Sequence, residues 1–172
     1  MDNSEEFIGK YLSKPNKTGG YKLNDPEQEA KNTTDSSDLS EFLNSENYHI
    51  RANATLNSNC TSAHIDKALD DKDWAIRKNA ALNPNATKEH LDKALGDTSG
   101  FVRAIAAKHP NCSSENISKA LSDKDSSVRS NASLNPNAAK EHLVKALDDV
   151  VPYVRTAARK NPNYKKFFPN GH

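Results

Sequence analysis

The chain has 172 residues, enough for one ordinary domain with a tail, and it is polar: 34% hydrophobic, 27% charged, mean hydropathy −0.89. A single spherical core wants more apolar residues than this, a thin elongated core does not, and a formal net charge of +1 singles out neither polyanions nor polycations as partners. No apolar stretch approaches the ~20 residues of a membrane span; the acidic start Met1-Asp2-Asn3-Ser4-Glu5-Glu6 lacks a signal peptide's basic and apolar regions, and two cysteines, Cys60 and Cys112, suit a reduced, cytoplasmic protein.

In chain order, residues 1–36 are expected to form a disordered or loosely attached arm, with Pro15, Gly19-Gly20, Pro26 and mixed charges. Within it, Phe7, Ile8, Tyr11 and Leu12 share a face of a helix that Ser4 would cap. That segment suits either a frayed helix or a docking peptide. Residues 37–50 read as a degenerate first unit, because Leu39 and Leu43 precede Ile65 and Leu69 by 26 residues and Ser45 stands where later units have aspartate. Terminal repeats that cap a stack are atypical.

From there a 26-residue period runs without a slip through Arg51, Arg77, Arg103, Arg129 and Arg155. Ile or Val precedes each arginine, and alanine follows three residues later: Ala54, Ala80, Ala106, Ala132, Ala158. Next comes a turn, Asn-Pro-Asn in its commonest form (Asn83-Pro84-Asn85, Asn135-Pro136-Asn137, Asn161-Pro162-Asn163). A Lys-Ala-Leu triplet and a closing aspartate (Asp71, Asp97, Asp123, Asp149) complete the unit.

Each unit reads as two short helices. The first runs from about Thr87 to Gly96 in the clearest copy, with Thr87 as N-cap, Glu89 at the positive end of the dipole and Leu91, Ala94 and Leu95 on one apolar face. The second runs from about Asp73 to Leu82, with Asp73 as cap and Ile76, Ala80 and Leu82 facing inward; Asn83-Pro84 stops it. Helices this short are marginal alone, so each unit must bury its apolar face against its neighbours. That is the logic of an all-α solenoid, here of about five units over residues 37–163. At ~8–10 Å between neighbouring helices the stack would be on the order of 50 Å long. Residues 164–172, with Tyr164, Phe167 and Phe168, are expected to form a C-terminal cap and tail.

The pattern Val-Arg-x-x-Ala-x-x-x-Asn-Pro-Asn, then Leu-x-x-Ala-Leu-x-Asp, resembles the variant leucine-rich repeat, a family of HEAT-like α-solenoids. The resemblance covers roughly residues 39–163 and is clearest over Ile76 to Asp97 and Val128 to Asp149. It implies a right-handed superhelix of alternating α and 3₁₀ helices, with the arginine-bearing helix partly 3₁₀. One member of that family carries an iron–sulfur module on clustered cysteines; Cys60 and Cys112 form no such cluster, so no cofactor is expected.

Positions identical in every unit maintain the repeat, and positions that differ are free to specialise. The arginine and aspartate ladders belong to the first group. They are expected to tie neighbouring corners together by charge-assisted hydrogen bonds, each pair contributing only ~0–1 kcal/mol at the surface; a row of anion contacts is their other use. Lys67, Lys93, Lys119 and Lys145 point to solvent as a line that a phosphate backbone could follow, or as an ordinary solvated face beside Asp66 and Asp92. His64, His90 and His142 share a repeat position ~10 Å apart, too far to share a metal, and Cys60 and Cys112 are two units apart, beyond disulfide reach. Both sets read as structural or incidental.

The variable corner before each Ile/Val-Arg carries Tyr48, Trp74, Phe101 and Tyr153. These rings either cover the ends of short helices or anchor a partner. No Gly-rich phosphate loop, nucleophile elbow, His-Glu-x-x-His or Cys-x-x-Cys occurs, so no enzyme and no small-molecule substrate is expected. The sequence therefore points to a cytoplasmic scaffold for protein–protein interaction through Tyr48, Trp74, Phe101 and Tyr153. Nucleic-acid binding along Lys67, Lys93, Lys119 and Lys145 is the alternative.

Overall fold

The computed structural model describes residues 25–171, so the segment carrying Phe7, Ile8, Tyr11 and Leu12 lies outside the described residues. Among the described residues all regular structure is α-helical, and no helix is long and apolar enough to cross a membrane. In chain order the helices are α1 (Pro26–Asn32), α2 (Ser36–Phe42), α3 (Tyr48–Thr55), α4 (Ser62–Leu69), α5 (Trp74–Leu82) and α6 (Lys88–Ala94). They continue with α7 (Gly100–Lys108), α8 (Ser114–Ala120), α9 (Ser126–Ser133), α10 (Lys140–Leu147), α11 (Pro152–Lys160) and α12 (Tyr164–Phe167).

These helices stack as a two-layered α-solenoid. One layer holds the arginine-bearing helices α3, α5, α7, α9 and α11, with α1 at its start; the other holds α2, α4, α6, α8 and α10. The arginine helices pack side by side more closely than their companions do, which puts them on the inner side of the curve. The core runs between the layers. Ile65, Ile76, Leu91, Val102, Ile117, Val128, Leu143 and Val154 fill it, each fully buried. The repeat alanines Ala54, Ala80, Ala106, Ala132 and Ala158 are also fully buried, where a larger side chain would overpack the layers.

Three expectations change. The arginine-bearing helices are α-helices, not 3₁₀; only isolated bonds such as Ile76 N–H to Asp73 O have the tighter pitch. Leu82, expected to face inward, is 50% exposed, because the helix turns it onto the same side as Trp74. The solenoid also begins before residue 37. Asp25 caps α1 by accepting from the Glu27 N–H, Ala30 is fully buried, and α1 packs against α3 as an arginine-layer helix would. At the other end, Tyr164, Phe167 and Phe168 pack partly buried against the core.

Two hydrogen-bond ladders hold the units in register. In the first, the leading asparagine of each turn is buried and donates its amide to two carbonyls of the preceding unit. Asn83 Nδ2 donates to Thr55 O (2.8 Å) and Asn57 O (3.0 Å), and Asn135 Nδ2 to Ala107 O (2.9 Å) and His109 O (3.0 Å). Asn57 and Asn161 repeat the arrangement, whereas His109 makes one such contact, to Asn83 O at 3.2 Å. The accepted carbonyls lie in the last turn of a helix or just past it, where intrahelical donors run out. The second asparagine of the turn does the same nearer the surface, Asn85 Nδ2 reaching Ser58 O and Cys60 O.

The second ladder is ionic. Arg77 grips Asp97 with two hydrogen bonds, Nε to Oδ2 at 2.6 Å and Nη2 to Oδ1 at 3.0 Å, and its Nη1 donates back to Asp71 O and Lys72 O. Arg51, Arg103 and Arg129 bind Asp71, Asp123 and Asp149 in the same way. The aspartate therefore comes from the following unit, and it also accepts a backbone N–H at its own corner, as Asp97 does from Ser99. These side chains are only 7–16% exposed, so the pairs lie well inside the surface regime.

Candidate functional site

The four rings at the variable corner all lie at the N-terminal ends of arginine-layer helices, along one edge. Tyr48 and Trp74 open α3 and α5, while Phe101 and Tyr153 stand second in α7 and α11. None is buried: Tyr48 is 38% exposed, Trp74 44%, Phe101 69% and Tyr153 49%. The starts of α3 and α5 are capped by residues other than their rings, whereas α7 and α11 have no side-chain cap. Asp73 caps α5 by accepting from the Ala75 N–H, and Asn47 and Asp125 cap α3 and α9 likewise.

Trp74 and Phe101 come together across neighbouring units, with ring centroids 5.3 Å apart and planes tilted by 31°. Phe101 stands one residue later in the repeat frame than Trp74. The frame position matching Trp74 is Gly100, where a Cβ would sit 2.6 Å from Asp125 Oδ2 of the next cap. An open depression of about 430 Å³ lies beside the pair, lined by Lys72, Trp74, Arg77, Thr98, Ser99 and Phe101. Tyr48 packs edge-on against His49 at 5.3 Å, and the Tyr153 hydroxyl donates to Ser126 Oγ. Lys78, which sequence pattern did not single out, places its ammonium 5.8 Å over the Trp74 ring. Its signal was the i, i+4 spacing from Trp74.

The lysine row is exposed, but each member is tied to the preceding unit. Lys93 Nζ meets Asp70 Oδ1 and Lys119 Nζ meets Asp92 Oδ1, both at 2.8 Å; Lys145 donates to Ser122 Oγ and Lys67 to Asn44 Oδ1.

The histidines are buried staples. His64, His90 and His142 each accept the backbone N–H three residues earlier on Nδ1, which caps the helix start. Their Nε2 atoms face hydroxyls of the preceding unit, Ser40, Ser62 and the pair Ser114 and Ser118. Burial lowers the His142 pKa, and burial likewise lowers that of His109 against the opposing contact with Asn83 O. Cys60 and Cys112 are buried, each Sγ against a carbonyl of the helix before it, and burial pushes both thiols up to about 11. Among the described residues no three His, Cys, Asp or Glu side chains converge as a metal site.

No protein-family model and no curated protein matches the chain. Solved structures do. The chain is similar to a leucine-rich repeat variant with a novel repetitive structural motif, at 18% identity and a TM-score of 0.42, over 78% of this chain. It spans 64% of that structure's length. An engineered protein is similar at 16% identity and a TM-score of 0.34, over 99% of this chain and 98% of that one.

Proposed function

We propose that the chain is a non-catalytic scaffold that captures a protein partner along Tyr48, Trp74, Phe101 and Tyr153. One observation carries this reading: all four rings stand along one edge, 38–69% exposed, and at Tyr48 and Trp74 the helix start is capped by another residue. Large, stiff apolar side chains left partly in water are the usual anchors of interfaces. The nucleic-acid alternative has less support, because Lys93 and Lys119, the middle of the lysine row, are paired with carboxylates of the preceding unit and Lys67 and Lys145 with its neutral side chains.

The test is Trp74→Ala. The variant is expected to lose partner capture from the native host while its stability falls by no more than about 1 kcal/mol, as for a surface position. A sharply lowered melting temperature would show that Trp74 belongs to the core. Undiminished capture by a stable variant would remove the aromatic edge as the contact.

A further inference from the structure

The arginine layer differs from its companion in a way the repeat does not demand. Helices α3, α5, α7, α9 and α11 contain no aspartate or glutamate, whereas α2, α4, α6, α8 and α10 each contain at least one. Arg51, Arg77, Arg103 and Arg129 are neutralised within the stack by their aspartates. The charge left on the open side of the layer is that of Lys78, Lys108 and Lys160, for which no ion pair occurs among the described residues. The acids nearest that side, Asp73 and Asp125, are engaged as helix caps.

The same side is apolar as well as cationic. Trp74, Lys78 and Leu82 fall at i, i+4 and i+8 and so share one helical face. Leu56 and Leu82, half exposed, are followed in the 26-residue frame by Lys108 and the partly exposed Leu134. On the flank of this face Asn79 is 9% exposed, and its side-chain amide has no hydrogen-bond partner among the described residues. Asn53 and Asn131 hold the same repeat position. A buried amide left unpaired costs ~1–3 kcal/mol, and it presents one acceptor and two donors, the complement of a peptide backbone.

We infer that this acid-free face receives an extended polypeptide segment carrying acidic and apolar side chains. The inference rests on the scaffold reading above and extends it from the aromatic edge across the inner layer. Units ~8–10 Å apart match about three residues of extended chain at ~3.3 Å each. The free cations attract carboxylates, the leucines and rings take the apolar side chains, and the asparagines pair with backbone amides. A nucleic acid fits less well. Its backbone carries a phosphate every ~3.4 Å per strand in a duplex, about three per unit, whereas the unit of α9 offers no free cation on this face, only Ser126, Ser130 and Leu134.

The experiment selects displayed random peptides of about 15 residues, a length that spans the units at ~3.3 Å per residue, on the purified full chain. Enriched peptides are then titrated by fluorescence anisotropy. They are expected to be rich in Asp, Glu, Leu and Phe, to weaken as salt rises, and to bind Lys78→Glu/Lys108→Glu about tenfold or more weakly than the native chain. The Lys78→Gln/Lys108→Gln pair, which adds no new charge, should fall between the two. Basic or no enriched peptides, or equal binding to both lysine variants, overturns the inference. So does an oligothymidine strand that binds more tightly than the peptides at physiological salt. Loss with the lysine variants but not with Trp74→Ala supports this face and removes the aromatic edge; loss with Trp74→Ala alone does the reverse.

Discussion

Asn135→Ala tests the central claim that a buried amide, not the turn itself, joins one unit to the next. In the native chain Asn135 is fully buried and makes three hydrogen bonds, two donated to Ala107 O and His109 O and one accepted from the Asn137 N–H. At about 1 kcal/mol per neutral bond the alanine variant loses ~3 kcal/mol, and the unpaired Ala107 carbonyl and Asn137 amide push the loss upward. With urea slopes of ~1–3 kcal/mol/M, the unfolding midpoint by circular dichroism should drop by at least about 1 M. The chain supplies its own control. His109 occupies the equivalent place, reaches one carbonyl of the preceding unit and still accepts the Asn111 N–H on Nδ1. Asn135→His should therefore cost less than Asn135→Ala. An alanine variant within ~0.5 kcal/mol of the native chain, the range of ordinary surface changes, would refute the reasoning, and so would a histidine variant as damaged as the alanine one.

Asp97→Ala leaves Arg77 beside two backbone carbonyls without its carboxylate, and denaturant titration should show a loss of about 2–3 kcal/mol, between the surface and fully buried regimes. Acidification should weaken the fold in two steps, measurable as melting temperature against pH. Burial holds His109 and His142 below their ordinary 6.5, so the stability tied to their neutral forms is complete above that value and declines as pH falls below it. Burial opposes ionisation of Asp97 and Asp123, yet their arginine and backbone hydrogen bonds outweigh it and hold both below 3.8; the arginine bond dominates at Asp149. Their contribution is present above 3.8 and is lost as pH falls through the lower folded values. Cys60 and Cys112, buried with pKa values near 11, should react with a thiol reagent at neutral pH only as fast as the chain opens, so that urea accelerates labelling.

The period, the two-helix unit and the inward Ile/Val, Ala and Leu positions were legible because burial recurs with the sequence frame. Partners across a unit boundary were not. The arginine sits six residues after one aspartate and twenty before the next, and spacing alone does not choose between them; the guanidinium reaches the carboxylate of the later one and the carbonyl of the earlier one. The leading asparagine looked like a helix stop, and its amide is instead the buried stitch between units. Helix α1 was missed although Asp25-Pro26 followed by Glu27 and Glu29 is a helix-start signal, because its contacts are out of step with the frame. Asn57 reaches back 27 and 24 residues there, instead of the 28 and 26 seen from Asn83 onward. The aromatic corners were visible as variable positions, and their exposure is set by how neighbouring units stack, which spacing within one unit does not give.

The asparagine stitch has a consequence for how such a stack tolerates change. Its acceptors are backbone carbonyls, which every amino acid supplies alike, so this part of the joint, unlike the arginine–aspartate pairs beside it, is indifferent to the side chains of the preceding unit. A whole unit could be copied, deleted or exchanged and each amide would still find its two oxygens, whereas adding a single residue would put the whole row out of step. Surface identity and structural continuity are thus inherited separately, and the exposed faces can drift toward a new partner while the joinery beneath them stays the same.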